Sequence, residues 1–387
     1  MKDFRRLDSA ELYGKTALVR VDFNVPRTDD GGVADDTRIR TALPTIAALR
    51  EAGAQVVLLS HMGRPRGAPD PELSLRFLVP HLQAATGESV GFGPDSKAGI
   101  VLLENTRFSN GETANAPELA REWAKLGDLF VLDAFSSAHR AHASTVGLAE
   151  VLPAYAGLAL ERELDHLSQA LDNPQRPVMA IVGGAKVSTK IGVLEHLVTR
   201  LDALVIGGGM ANTFLNALGH PVGRSLHEPS QSDTALGILE AARESGCEVV
   251  LPLDAVVAEV LEPGADSEVR ALEDVRPDEM ILDAGPATVE RVLDRMDAAR
   301  TLVWNGPLGA FETPPFDTST VECARYAARR TRESGLVSIA GGGDTVAALE
   351  QAGVAEDFTF VSTAGGAFLE WMEGKALPGI DALRTET

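Results

Sequence analysis

One pattern recurs along this chain and narrows what it can become: a short apolar run of strand length, a break of glycine or polar residues, then apolar residues at helical spacing. Its clearest instance is Pro177 to Leu197, where Pro177 to Val182 is the apolar run, Gly183-Gly184 interrupt it, and Ile191, Leu194 and Leu197 follow at helical intervals. The pattern predicts strand, glycine turn, helix, and its repetition predicts a parallel sheet with helices on both faces. Lys186 and Lys190 lie four apart between the two elements. That spacing predicts one side of the opening helical turns, beside backbone N–H groups that a helix start leaves free. Such a start receives phosphate. The chain has seven lysines among 35 Lys and Arg, so two beside a glycine pair read as functional rather than as solvated surface. A lysine supplies a compact, movable charge suited to a phosphoryl group in transit.

At 387 residues the chain exceeds what one core usually fills, and two domains are expected. Four units occupy the first part. Thr16 to Val25 alternates and ends at Pro26, carrying Asp22 and Asn24 to its carboxyl end; Gln55 to Ser60 opens into His61-Met62-Gly63-Arg64. Ile100 to Leu103 opens into Glu104-Asn105-Thr106-Arg107, and Asp128 to Leu132 into a loop that holds His139, Arg140 and His142. Arg38 precedes a helical pattern of Ile39, Leu43, Ile46 and Leu49. Ligands of parallel sheets gather at the carboxyl ends of strands, and arginine forks match carboxylates and phosphates. Arg38, Arg64, Arg107 and Arg140, with the histidines, therefore form a basic cluster for an anion. His139 and His142 have no metal-ligand spacing and are equally read as hydrogen-bonded loop residues.

Tyr155 to Leu171 has helical periodicity, runs to Asn173-Pro174, and is expected to bridge the domains. Beyond it, runs at Ala203, Glu248, Leu302, Leu336 and Phe358 end in polar loops, most of them glycine-rich, including Asn305-Gly306-Pro307 and Gly341-Gly342-Gly343-Asp344-Thr345. Glycine there lets backbone approach a ligand closely. Asp344 reads either as an N-cap or, next to a polyphosphate, as a carboxylate for Mg2+. Glu312 is placed to accept from ribose hydroxyls. No GxGxxG with a following acid and no GxxxxGK[ST] occur, which disfavours an NAD-dependent oxidoreductase and excludes a P-loop enzyme. A net charge of −21 argues against nucleic acid or an anionic membrane as partner. The acidity fits work in high salt or a GC-rich genome. Two cysteines, Cys247 and Cys323, are too few for a disulfide framework, and with no long apolar run or signal sequence the expected location is the cytoplasm.

Read together, these segments resemble the phosphoglycerate kinase family along the whole chain: Val19 to Pro26, Ser60 to Pro65, Leu102 to Phe108, Asp133 to His142, Gly183 to Ile191, Ile206 to Leu215, Trp304 to Glu312, Gly341 to Thr345 and Glu373 to Leu383. The resemblance implies two doubly wound, Rossmann-like α/β domains joined by a helix, with a cleft between them. A triose domain would span 1–154 with 375–387 packing back on it, a hinge 155–172, and a Mg-nucleotide domain 173–374. Asp22, Phe23, Asn24, Arg38, His61, Met62, Gly63, Arg64, Arg107 and Arg140 would bind 3-phosphoglycerate or 1,3-bisphosphoglycerate. Lys186, Lys190, Asn305, Glu312, Gly342, Gly343, Asp344 and Thr345 would bind ADP or ATP, with Mg2+ at Asp344. Arg38, Lys186 and Lys190 would be catalytic, acting by charge and domain closure in a monomer. A catalytically inactive nucleotide-binding scaffold of the same fold is the alternative. Leu132, Ser136-Ser137 and Ala364 depart from the family pattern, which often has Asn, Gly-Thr or Gly-Ser, and a third glycine there. Alanine resists positive φ, so Ala364 bears on the phosphate contact at its helix start.

Overall fold

The computed structural model describes residues 4–65 and 67–384. These divide into two compact units, one of residues up to Asp165 together with the segment from Ala376, the other His166–Lys375. The expected return of 375–387 to the first part extends beyond the described residues at 385–387. Within them, Arg5 N–H donates to Leu383 O at 3.1 Å.

The first unit is built on β1 (Thr16–Arg20), β2 (Gln55–Leu59), β3 (Val90–Phe92), β4 (Ile100–Leu102), β5 (Leu129–Leu132) and β6 (Ala154–Ala156). All pair in parallel in the order β3-β4-β2-β1-β5-β6. Strands covered on both faces need apolar side chains throughout, and Leu18, Val19, Leu58, Leu102 and Val131 are fully buried. The helix Thr37–Glu51 turns Ile39, Ala42, Ile46 and Leu49 onto the sheet, each large one contributing roughly 1.5–3 kcal/mol by leaving water. The chain departs in opposite directions from β1 towards β2 and β5, so the order reverses there, and a crevice opens outside the strand ends at such a point.

The expected helix over Tyr155–Leu171 begins later. Tyr155 and Ala156 belong to β6, whose backbone completes the outer edge of β5, and the helix runs Leu158–Leu167 with one wider turn, Ser168–Asp172. Edge pairing satisfies backbone groups that an earlier helix start would leave bare.

The second unit contains β7 (Val178–Val182), β8 (Ala203–Ile206) and β9 (Glu248–Val250), then β10 (Asp254–Ala258), β11 (Glu268–Ala271) and β12 (Met280–Ala284), then β13 (Thr301–Asn305), β14 (Val337–Gly341) and β15 (Phe360–Ser362). Six of them form a parallel sheet in the order β15-β14-β13-β7-β8-β9, which reverses between β7 and β13. The other three form a small antiparallel sheet, β11-β10-β12, over its own cluster of Leu215, Val222, Ala255, Val257, Leu272 and Val275. This sheet is not legible in the strand–glycine–helix pattern, because its short strands are joined by loops and one three-residue 3-10 turn, Leu272–Asp274, with no α-helix. Among the described residues no helix is long and apolar enough to cross a membrane.

Candidate functional site

Each unit carries a cavity at its reversal point. In the first unit it measures about 190 Å3 and is lined by Asn24, His61, Gly63, Arg64, Arg107, Ser136, Ser137, His139, Arg140 and His142. Loops after β1, β2, β4 and β5 thus converge there. Asn24 Oδ1 accepts from Gly63 N–H at 3.0 Å, and Arg107 Nη1 donates to Gly63 O at 2.6 Å, tying three of those loops together. Arg64, Arg107 and Arg140 are cationic and, among the described residues, no carboxylate lines the cavity. An anion with several oxygens is what such a set accepts.

The remaining expected residues stand behind this lining. Arg38 Nη1 donates to Asp22 Oδ2 at 2.8 Å, and Ser136 Oγ donates to the same oxygen at 2.5 Å. Burial alone pushes the Asp22 carboxyl up, yet Arg38 and these hydrogen bonds outweigh it and hold it below its ordinary value. Phe23 and Met62, expected at the substrate, are both buried inside the apolar core. Their neighbours Asn24, His61 and Gly63 line the cavity instead. Burial, then the Arg20 guanidinium, drives His61 down to about 2, and burial drives His142 down to about 4. Both rings are neutral near pH 7. Sequence reasoning missed Arg20 and Glu112, which lie fully buried behind the cavity; a lone charge in an apolar run or a loop carries no signal until its burial is seen. The departures Ser136 and Ser137 place hydroxyls in the lining, and Ser137 Oγ accepts from Arg20 Nη2 at 3.2 Å.

In the second unit the cavity is larger, about 320 Å3, with walls that include Gly184, Gly208, Gly209, Leu308, Gly309, Glu312 and Asp344. Backbones crowd at its floor: a Cβ on Gly183 would lie 1.8 Å from Pro307 O. Lys190 closes the reversal point from within, its Nζ donating to Gly183 O at 2.6 Å, Asn305 O at 3.1 Å and Asn305 Oδ1 at 2.5 Å. Burial lowers its ammonium to about 8, and nearby Asp344 acts the other way.

Several expectations change here. Lys186 and Lys190 do not share a helix face: a 3-10 turn, Val187–Thr189, separates them, and the helix starts at Ile191. Lys186 is exposed while Lys190 turns inward. Asn305 and Thr345 spend their side chains inside the sheet, Asn305 Nδ2 donating to Gly341 O at 2.7 Å and Thr345 Oγ1 accepting from Gly306 N–H at 2.7 Å. Asp344 is not an N-cap. Gly342 holds that position with φ of 101°, and Gly343 and Asp344 open the helix, their backbone N–H groups among those a first turn leaves without a helical acceptor. Ala364 adopts φ of −97° at the start of the helix Gly365–Met372, so no strain follows from its Cβ.

For Mg2+, the donor set decides the fit. Among the described residues no group of three or more His, Cys, Asp or Glu could hold an ion alone. The exposed carboxylate of Asp344 suits an ion that arrives on phosphates and keeps several waters.

An anion cavity on one α/β unit and a glycine-walled cavity with an inward lysine on the other have the build of a two-domain kinase. The phosphoglycerate kinase family model matches residues 7–375. Phosphoglycerate kinase of Caulobacter vibrioides is 56% identical over 395 residues, covering 99% of this chain and 100% of that protein, and that of Maricaulis maris is 57% identical over 396, covering 99% and 98%. The structure of phosphoglycerate kinase from Coxiella burnetii superposes with a TM-score of 0.93 at 43% identity over 98% of both chains, and that from Pyrococcus horikoshii with 0.76 at 29%. The chain belongs to the phosphoglycerate kinase family.

Proposed function

We propose that this chain transfers a phosphoryl group reversibly between the acyl phosphate of 1,3-bisphosphoglycerate and ADP, giving ATP and 3-phosphoglycerate. In chemical class it is a phosphotransferase with a carboxyl group as acceptor. The observation that supports the reading is the contrast between the two cavities: one is lined by Arg64, Arg107 and Arg140 with no carboxylate among the described residues, the other is walled by glycine backbone beside Asp344 and Glu312. The triose phosphate belongs to the first and the nucleotide to the second.

The attacking oxygen is already anionic and the leaving group is a carboxylate, so neither needs a proton moved at neutral pH. Cations and backbone donors answer the charge that spreads over the transferring group. Arg38, held by Asp22, is the cation proposed on the triose side; Lys190 and Lys186 are those on the nucleotide side. Lys186 is free at the surface to reach a phosphate, whereas Lys190 keeps the floor in place. Asp344 and the nucleotide phosphates would hold Mg2+, which supplies charge neutralisation. Transfer demands reacting atoms within roughly 3–3.5 Å, so ligands bound by separate units are brought together by closure about the 155–172 segment. The residue ranges proposed for the two functions are 1–154 with 375–387, and 173–374. A cytoplasmic monomer is the proposed working form; Cys247 and Cys323 are free and buried, as a reducing compartment permits.

The test is a coupled assay in the reverse direction, ATP plus 3-phosphoglycerate with glyceraldehyde-phosphate dehydrogenase reporting NADH loss, at low and molar KCl. Turnover dependent on both substrates is expected. Nucleotide binding without turnover at either salt would return the inactive scaffold.

A further inference from the structure

Behind the arginine-lined cavity stand two buried charges of opposite sign. Arg20, the last residue of β1, and Glu112, in the loop before the helix Pro117–Ala124, are each 1% exposed. Ser144 lies between them. Arg20 Nε donates to Ser144 Oγ at 2.9 Å, while Ser144 donates from Oγ to Glu112 Oε1 at 2.5 Å and from its backbone N–H to Oε2 at 2.9 Å. At its other end Arg20 Nη2 meets His61 Nδ1 at 2.9 Å. A guanidinium has donors and no acceptor. His61 Nδ1 therefore accepts, and the single ring proton sits on Nε2.

We propose that Glu112 is a positioning residue which, through Ser144 and Arg20, fixes His61 as the Nε2–H imidazole, so that His61 offers the triose anion a directed hydrogen bond rather than a positive charge. Glu112 has the leverage because each of its oxygens accepts from Ser144, while its other neighbour, His142 Nδ1, stands 3.8 Å from Oε1: the hydroxyl proton points to the carboxylate, which leaves the Ser144 lone pair facing Arg20 Nε. With Nη1 held by Val21 O and Nε by Ser144, the orientation of the guanidinium follows, and with it the Nη2 group that meets His61 and Ser137. The charged and titratable groups around His61 are Arg20, Asp22, Arg107 and His142, and of these only Asp22 favours a protonated ring. A neutral donor at this point adds direction to a cavity whose charge the arginines already supply. For its effect on turnover the proposal rests on the anion-site reading above; for the tautomer it does not.

The experiment is long-range proton–nitrogen NMR on histidine-15N-labelled protein, with His61 assigned through His61→Gln, alongside kinetics with 3-phosphoglycerate. In the unmutated protein His61 should show one Nε2–H pattern that stays constant between about pH 6 and pH 8. In Glu112→Gln and Ser144→Ala that pattern should move towards mixed tautomers, and KM for 3-phosphoglycerate should rise about tenfold, the size of one charged hydrogen bond, with KM for the nucleotide unchanged. The sign for Glu112→Gln discriminates, since deleting a carboxylate beside a cation cluster lowers KM for an anion if charge alone matters. A lowered KM, or a His61 pattern unaltered in both variants, overturns the proposal. Should Glu112→Gln fail to fold, Ser144→Ala, which removes only the bridging hydroxyl, decides it. A protein inactive with 3-phosphoglycerate would refute the kinase reading, and the spectra would still decide the tautomer.

Discussion

Lys190 is the residue whose environment departs furthest from what its place in the sequence implies. Its Nζ sits among three carbonyl oxygens at the joint of β7 and β13, and burial brings its ammonium from 10.5 to about 8. Between those values the unfolded chain binds the proton and the folded one does not, so this group's contribution to stability rises with pH across that window. Binding of a polyphosphate works the other way, since it favours the charged lysine. We expect KM for the nucleotide to increase as pH rises from about 7 to about 9, and Lys190→Met to bind weakly with that pH dependence gone. The same slope persisting in Lys190→Met would remove the lysine from the phosphates. At this scale the arginine cluster was legible, because parallel strands deliver their following residues to one edge. Phe23 and Met62 were not separable from their cavity-lining neighbours Asn24 and His61, since a motif names a stretch of chain and only the folded backbone says which side each residue takes.

Between elements, two joints decide whether the sites form. Asp133, just after β5, is fully buried and its Oδ1 accepts from Ala159 N–H at 2.9 Å and Leu160 N–H at 3.2 Å, holding the start of the helix Leu158–Leu167. Burial raises its carboxyl to about 7 from 3.8. The folded state then binds a proton that the unfolded state has released, so stability falls as pH rises from about 4 to about 7 and is level above. Denaturant unfolding should show that fall in the unmutated protein relative to Asp133→Asn; parallel curves would mean that Asp133 does not titrate in this window. The second joint is Gly183 against Pro307 O. Gly183→Ala should lower the unfolding temperature of the second unit and abolish nucleotide binding. Gly237→Ala, inside the helix Ser232–Ser245 with nothing within 4 Å of its Cβ, should stabilise by about 0.5–1 kcal/mol. Equal effects from the two would refute the close approach at Gly183. The parallel strands were readable from apolar runs ending in glycine. The β10–β12 sheet was not, because its strands follow one another through Pro252, Pro263 and Pro277 with no α-helix to mark them. The lysine pair was misplaced since the 3-10 turn at Val187–Thr189 rotates the chain before the helix begins.

At the scale of the whole chain, the sequence pattern predicted two doubly wound units and the order of each sheet agrees with it, since both reverse once and both place a cavity at the reversal. What a pattern of runs and breaks does not carry is the relation of one site to the other, and the proposed reaction supplies it. A phosphoryl group held by one unit reaches an acceptor held by the other only if the reacting atoms come nearly into contact, and water must be kept from the acyl phosphate while they do. In the proposed reaction each ligand is held by one unit, so either one alone shifts the balance of open and closed forms less than the pair does. Small-angle scattering should therefore give a smaller radius of gyration with 3-phosphoglycerate and Mg-ADP together than with either alone. The measurement belongs in both dilute and molar KCl, because a net charge of −21 opposes approach of the units and salt screens it over about 10 Å at 0.1 M. Compaction that needs both ligands and grows with salt would tie closure to the acidic surface. One radius for all four ligand states would mean that the reacting groups meet without the units moving, and the 155–172 segment would lose its proposed role as hinge.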